Sequence, residues 1–220
     1  MRIRRRKWAK QELEESKFYL DDPSINKGKW NTYFKNTNPI YLEIGCGKGA
    51  FIAELASNNL ETNYIAADMI EAMLGLSKRN IEQAYKEKNI EDISNIALIR
   101  MNAERILDVF DENDVIDRIY INFCNPWPRG KHKKRRLTHI RQLEHYKVFL
   151  KPGGEIYFKT DNDELFEESL EYFEEAGFDI ISKTYDFQKD LIFEDILTEH
   201  EIMYTNQGIK IKALIAKLKI

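Results

Sequence analysis

The stretch LEIGCGKGAF, residues 42–51, joins a carboxylate to a glycine-rich turn. Glu43 stands two places before Gly45, and Gly47 and Gly49 follow at alternate positions. Glycine permits a tight turn and lets a ligand approach the backbone closely. With Ala50 the spacing also satisfies the dinucleotide pattern G-x-G-x-x-G/A. No G-K-[ST] follows, which excludes a phosphate-binding P-loop. Glu43 argues against a dinucleotide, because its charge would face a pyrophosphate unfavourably. It suits a cationic ligand that carries an ammonium group.

A second stretch, NFCNPWPRGKHKKRRLTH at 122–139, places Asn125, Pro126, Trp127 and Pro128 directly before a dense cationic run. Each proline fixes its own φ and restricts its predecessor, so the loop is stiff. Arg129, Lys131, Lys133, Lys134, Arg135, Arg136 and Arg141 form one basic block; Arg2, Arg4, Arg5, Arg6, Lys7 and Lys10 form another. The whole chain nevertheless has a formal net charge of −3. A lone charge run is often a solvated face. Two separate blocks in an acidic chain point to a polyanion, since clustered Lys and Arg gain affinity from phosphates.

These groups need a scaffold. The chain has 220 residues, 43% hydrophobic and 32% charged, which suits a soluble globular protein with one full core. No apolar run is long enough to cross a bilayer, and no apolar h-region follows the basic start. A cytoplasmic protein with no membrane association is expected. Cys46 and Cys124 lie far apart in different motifs, so neither a structural disulfide nor a zinc site is expected. His132, His139, His145 and His200 show no ligand spacing, and no metal is expected.

After a polar, irregular opening, apolar runs alternate with amphipathic stretches. Strands are expected at 39–45, 63–69, 95–101, 117–123 and 153–161. Helices are expected at 49–59, about 70–88, Thr138 to Leu150 and 163–177, with a helical turn near 103–109. FDIISKTYD and GIKIKALIAKL read as two closing strands. Strands alternating with helices imply a parallel sheet covered on both faces. Ligands on such sheets bind beyond the carboxyl ends of the strands.

The glycine loop together with LKPGGEIYFKTD, a helix and two closing strands resembles the class I S-adenosylmethionine (SAM)-dependent methyltransferase fold. The resemblance implies an α/β, Rossmann-like, mostly parallel seven-stranded sheet with helices on both faces and an antiparallel C-terminal strand. It implies a single methyltransferase domain over 1–220 with a basic N-terminal arm at about 1–35. Within that fold Asp68 would take the ribose hydroxyls and Asn102 would meet the adenine. Asp68 is also a natural helix N-cap, and Asn102 a turn former.

More specifically, MRIRRRKWA, LEIGCGKG, NFCNPWPRGKHKKRRL, KTDN (159–162) and TEHE (198–201) occur in the order that resembles the bacterial tRNA (guanine-N7)-methyltransferase family. That family methylates guanosine 46 of the tRNA variable loop. The resemblance implies SAM binding by Glu43, Gly45, Gly47, Gly49, Asp68, Asn102 and Asn125. It implies substrate contacts by Arg129, Asp161, Thr198, Glu199, His200 and Glu201. Two positions depart from the family: Asn125 stands where aspartate is usual, and Arg129 where lysine is. Asn125 keeps an acceptor oxygen without the charge; Arg129 keeps the charge on a forked head.

Arg4, Arg5, Arg6, Lys133, Lys134, Arg135 and Arg136 are then expected on the tRNA backbone. Trp127 either stacks on an unstacked base, worth about 1–3 kcal/mol, or packs within the protein. Asp161 is expected to read guanine's adjacent N–H donors with its two oxygens; the other reading makes it the cap of the helix that follows. Glu201 is the alternative guanine reader. Guanine N7 already has a lone pair, so no general base is needed, and proximity and orientation carry the reaction. A monomer and a homodimer are equally compatible with the sequence. Two rival readings explain less. A non-catalytic RNA-binding module accounts for the basic blocks but not for Glu43, the glycines and Asp68 together. An NAD-dependent oxidoreductase accounts for the glycines but not for the basic loop.

Overall fold

A computed structural model of the chain describes residues 7–193, 196 and 199–219. Arg4, Arg5, Arg6 and Thr198 fall outside the described residues, as do the side chains of Glu199 and His200. The chain divides into two compact units between Asp114 and Val115.

The first unit is built on parallel strands. β1 is Tyr19–Leu20, β2 Ile40–Ile44, β3 Asn63–Asp68 and β4 Ile96–Arg100, in the spatial order β1-β4-β3-β2. β2, β3 and β4 are short apolar runs, and Leu42, Ile44, Ile65, Ala66, Ala67, Ala97, Leu98 and Ile99 are all buried. Such runs suit strands covered on both faces. Among the described residues its helices are α1 (Lys7–Glu14), α2 (Trp30–Tyr33), α3 (Ala50–Asn58) and α4 (Glu71–Glu87). A 3-10 turn at Ala103–Asp108 follows β4.

The opening is not irregular from Lys7 on. Ala9 and Leu13, one helical turn apart, are buried. A Cβ at Gly75 of α4 would sit 2.7 Å from the Ala9 Cβ, so α1 and α4 approach closely there. The Arg79 guanidinium lies 3.9 Å from the Trp8 ring centroid, and its Nε donates to Glu12 at 2.8 Å. β1 pairs in parallel with Leu98 and Ile99 and, among the described residues, raises the strand count from the expected seven to eight.

Trp30 is fully buried and donates from Nε1 to the Val109 carbonyl at 3.0 Å. Its backbone N–H donates to Asp114 Oδ1, while Gly28 and Asp111 donate to Oδ2, all at 2.9–3.0 Å. Asp114→Asn would set an amide group against two of those donors. We expect it to lower stability by about 3 kcal/mol, read as a lower urea midpoint with an unchanged m-value.

The second unit holds β5 (Ile116–Asn122), β6 (Leu150–Thr160), β7 (Phe178–Thr184) and β8 (Lys212–Leu218), ordered β5-β6-β8-β7. β5 and β6 run parallel; β8 runs antiparallel to both β6 and β7. The closing reversal expected from the sequence is therefore present, with the last strand inserted beside β6. α5 is Ile140–Tyr146, α6 Asp163–Glu175 and α7 Glu199–Asn206. α7, absent from the sequence reading, lies in the excursion between β7 and β8.

The helix expected from Thr138 starts later. Thr138 is buried with its hydroxyl 2.6 Å from that of Ser169, so it is not the cap. His139 caps α5 by accepting the Arg141 N–H on its ring nitrogen at 3.2 Å. The preceding cations sit on a separate 3-10 turn at Gly130–Arg135. Among the described residues no helix is long and apolar enough to cross a membrane.

Candidate methyl-transfer site

In the first unit the residues expected to hold SAM gather at the carboxyl ends of β2, β3 and β4. Glu43 lies on β2 and is only 2% exposed. The glycine loop then turns back on β3: the N–H groups of Gly45 and Cys46 both donate to the Ala67 carbonyl, at 2.8 and 3.0 Å. Gly47 has φ +55°, and a Cβ there would meet nothing within 4 Å, so this side of the loop is open. Gly49 has φ +72° at the N-cap of α3, and its Cβ would fall 2.0 Å from Ser77 Oγ. One glycine thus keeps a space clear, and the other lets α3 and α4 pack.

Asp68 ends β3 and organises the same loop. Its Oδ2 accepts the Gly47 N–H at 3.0 Å, and its Oδ1 accepts the Ile70 N–H at 2.8 Å. The cap position of α4 is Ile70 itself, so Asp68 braces the turn ahead of the helix. Burial raises the Asp68 pKa, and the backbone N–H bonds only partly offset that. Asn102 is exposed beyond β4, and its side-chain oxygen accepts the Glu104 N–H at 3.0 Å. Here the turn-forming alternative is realised: Asn102 caps the 3-10 turn at Ala103–Asp108.

The second unit carries the stiff loop, the basic turn and the residues expected to meet the base. Phe123 and Trp127 have φ of +50° and +43°, a left-handed conformation that costs a bulky residue strain. Two contacts hold the loop there. Asn125 is exposed and its side-chain oxygen accepts the Trp127 N–H at 3.0 Å. Arg136 Nε donates to the Pro126 carbonyl at 2.6 Å.

That second contact corrects the expectation for the basic run. Arg136 is fully buried and also donates to Glu168 of α6 at 2.6 Å. Lys133 pairs with Glu164 at 2.7 Å and with Glu168. Burial pulls the Glu168 pKa up, but Lys133 and Arg136 outweigh it and leave it below the ordinary carboxylate value. A fully buried guanidinium cannot reach a phosphate, so Arg136 is a strut of the loop. Arg135 is exposed and covers the Trp127 ring, 4.4 Å from its centroid. Trp127 therefore packs within the protein on at least that face. Arg129, Lys131 and Lys134 are exposed.

Asp161 follows the last residue of β6 and is half-buried. The cap of α6 is Asn162, whose side-chain oxygen accepts the Leu165 N–H at 2.7 Å. The capping alternative for Asp161 is thereby removed. Lys212 of β8 donates from Nζ to the Asp161 carbonyl at 3.0 Å and fixes its backbone. Glu201, in the first turn of α7, is fully buried, with both oxygens 3.0 Å from Lys159 Nζ.

A family model described as "Putative methyltransferase" matches residues 37–214. A tRNA (guanine-N(7)-)-methyltransferase of Clostridium botulinum (strain Alaska E43 / Type E3) is 58% identical over 98% of both chains. The chain belongs to the tRNA (guanine-N(7)-)-methyltransferase family. Enzymes of the same description from Clostridium perfringens (strain 13 / Type A) and Acetivibrio thermocellus are 56% and 47% identical over 99% and 100% of each chain. Among solved structures, an antibiotic-related methyltransferase superposes with a TM-score of 0.61 at 18% identity, covering 91% of this chain and 96% of that one. The 16S rRNA methyltransferase KamB gives 0.59 at 15% identity, covering 83% and 89%. At such identities the likeness concerns the fold, which is that of class I methyltransferases.

For this family member the sequence reading missed Lys159, Lys212 and the buried role of Arg136. Lys159 offered a signal: a lysine inside the apolar strand EIYFKT must find a partner if buried. Arg136 offered none, because it ends a run of cations, Lys133, Lys134 and Arg135, that look alike in sequence. The revised assignment can be checked. Neutralising Lys131 and Lys134 together should lower the slope of log K against log[salt] for tRNA binding by about 1 per lost phosphate contact. Arg136→Gln should leave that slope as it is. A filter-binding salt titration in which Arg136→Gln flattens the slope would return Arg136 to the nucleic-acid surface.

Proposed function

We propose that the protein transfers the methyl group of SAM to N7 of a guanine in tRNA, at position 46 of the variable loop. The observation that carries this reading is the near-full-length identity with tRNA (guanine-N(7)-)-methyltransferases. The residues present fit SAM: an open cradle at Gly47, a buried carboxylate at Glu43 and an acceptor at Asp68. When bound, SAM supplies an electrophilic methyl group on a sulfonium.

Glu43 would hold the ammonium of the methionine part, Asp68 the ribose hydroxyls and Asn102 the adenine through its amide N–H. Asn125 would complete that set. Asp161 would hold the Watson–Crick edge of guanine, accepting from the ring N–H and the exocyclic amine. Arg129 would sit against the backbone of the substrate as a forked donor. The N7 lone pair needs no deprotonation, so the protein's task is alignment and charge complementarity. Soluble tRNA as the partner fits a cytoplasmic enzyme.

Tritiated methyl transfer from SAM to unmodified tRNA, followed by nucleoside analysis, tests the proposal. The expected product is 7-methylguanosine at a single position. Label in another nucleoside, or none, would overturn it.

A further inference from the structure

We propose that Lys159 and Glu201 form a buried latch that seats α7 beside Asp161, so that Glu201 is a positioning residue and does not touch the base. The inference rests on the methyl-transfer reading given above and refines it. Among the described residues no other ion pair of the second unit lies so far from water: the Lys159 and Glu201 side chains are 1% and 0% exposed. Both carboxylate oxygens lie 3.0 Å from the same ammonium. A group that reads a base must offer its oxygens to an incoming ring. Those of Glu201 are already enclosed by protein and directed at the β6 lysine.

The latch is placed where substrate alignment needs it. Lys159 is the penultimate residue of β6, and Asp161 follows its last residue, so both lie at the carboxyl end of that strand. Tyr204 stands three residues after Glu201, one helical turn along α7. Its ring centroid lies 5.9 Å from that of Phe123, whose N–H donates to the Lys159 carbonyl at 2.9 Å, so α7 packs at the carboxyl end of β6, where Asp161 follows. The Lys159 ammonium also lies 5.1 Å from the Phe187 ring centroid and 5.8 Å from that of Phe193. Both rings belong to the excursion that carries α7, so one cation holds the helix and its leading segment together.

A buried pair of this kind can often be replaced by apolar groups at little cost, whereas removing one partner strands the other charge. A base reader cannot be replaced in that way. The experiment follows from this contrast. Lys159→Met and Glu201→Leu are made singly and together, and assayed for SAM affinity, for tRNA turnover and for amide exchange over 199–206. Each single variant should lose about 30-fold or more in kcat/KM for tRNA, keep its SAM affinity and exchange faster in α7. The double variant should recover turnover to within about threefold and regain its protection.

A double variant as inactive as Glu201→Leu overturns the proposal, even with protection restored, because base contact then returns to Glu201. A double variant that does not fold overturns it too, since the pair would not be replaceable. If the wild-type protein forms no 7-methylguanosine, the functional reading fails instead. The exchange pattern of the three variants still decides whether the latch exists.

Discussion

Asp161→Asn should keep the fold and the affinity for SAM and lose methyl transfer by about 100-fold or more. The magnitude comes from one substituted atom. A carboxylate presents two acceptors to guanine's two adjacent donors; asparagine presents one acceptor and one donor facing a donor. Losing a hydrogen bond to a charged group costs about 1.5–3 kcal/mol, and leaving the facing donor unsatisfied adds to that. Each 1.36 kcal/mol lost in the transition state is tenfold in rate. The loss should fall on kcat as well as KM. Methylation at N7 makes the guanine ring cationic and its ring N–H a stronger donor, so the carboxylate binds the transition state better than the ground state. The structure sharpens the test, because Asn162 supplies the cap of α6. Asparagine at 161 has no capping role to preserve or disturb. Near-normal turnover in a single-turnover assay would remove the base-reading role from Asp161.

The fold was legible because its signals are local. Apolar runs at β2, β3 and β4 each end in a turn carrying glycine, aspartate or asparagine, and the helix α6 shows its buried face at Leu165, Phe166, Leu170 and Phe173. The opening segment was not legible in the same way. Among its described side chains α1 buries only Ala9 and Leu13 fully, a signal too sparse to stand out among charged neighbours. α7 was hidden for another reason: what docks it is a charge pair 42 residues apart in sequence, which no periodicity reveals.

The site divides along the same line. Glu43, Asp68 and the glycines could be found because a strand, a turn and a helix fix them in order. The basic run could be read as cationic but not sorted. Lys133 and Arg136 are set apart by Glu164 and Glu168 on α6, and Arg136 also by the Pro126 carbonyl. Electrostatic partners that arrive from another element turn two of four adjacent cations into struts.

Asp68→Ala should weaken SAM binding by roughly 10- to 100-fold and leave tRNA affinity unchanged. Two losses combine. The ribose hydroxyls lose a charged acceptor, worth about 1.5–3 kcal/mol. The N–H of Gly47 also loses its partner at 3.0 Å, so the open part of the cradle is no longer held in shape. Asp68→Asn separates the two, because its side-chain oxygen can keep the Ile70 bond while the Gly47 N–H faces an amide. It should sit between wild type and alanine in affinity. The pH dependence adds an independent check. The ionised carboxylate is the form that accepts from the ribose and from Gly47, so protonation weakens SAM binding. Burial holds the Asp68 pKa above its ordinary value, so wild-type affinity should begin to fall, as pH is lowered, before the usual carboxylate range is reached. Asp68→Asn should lack that early fall. Calorimetric titration of SAM across pH measures both quantities on one sample series. Equal affinities for wild type and Asp68→Ala at neutral pH would take Asp68 out of the cofactor site.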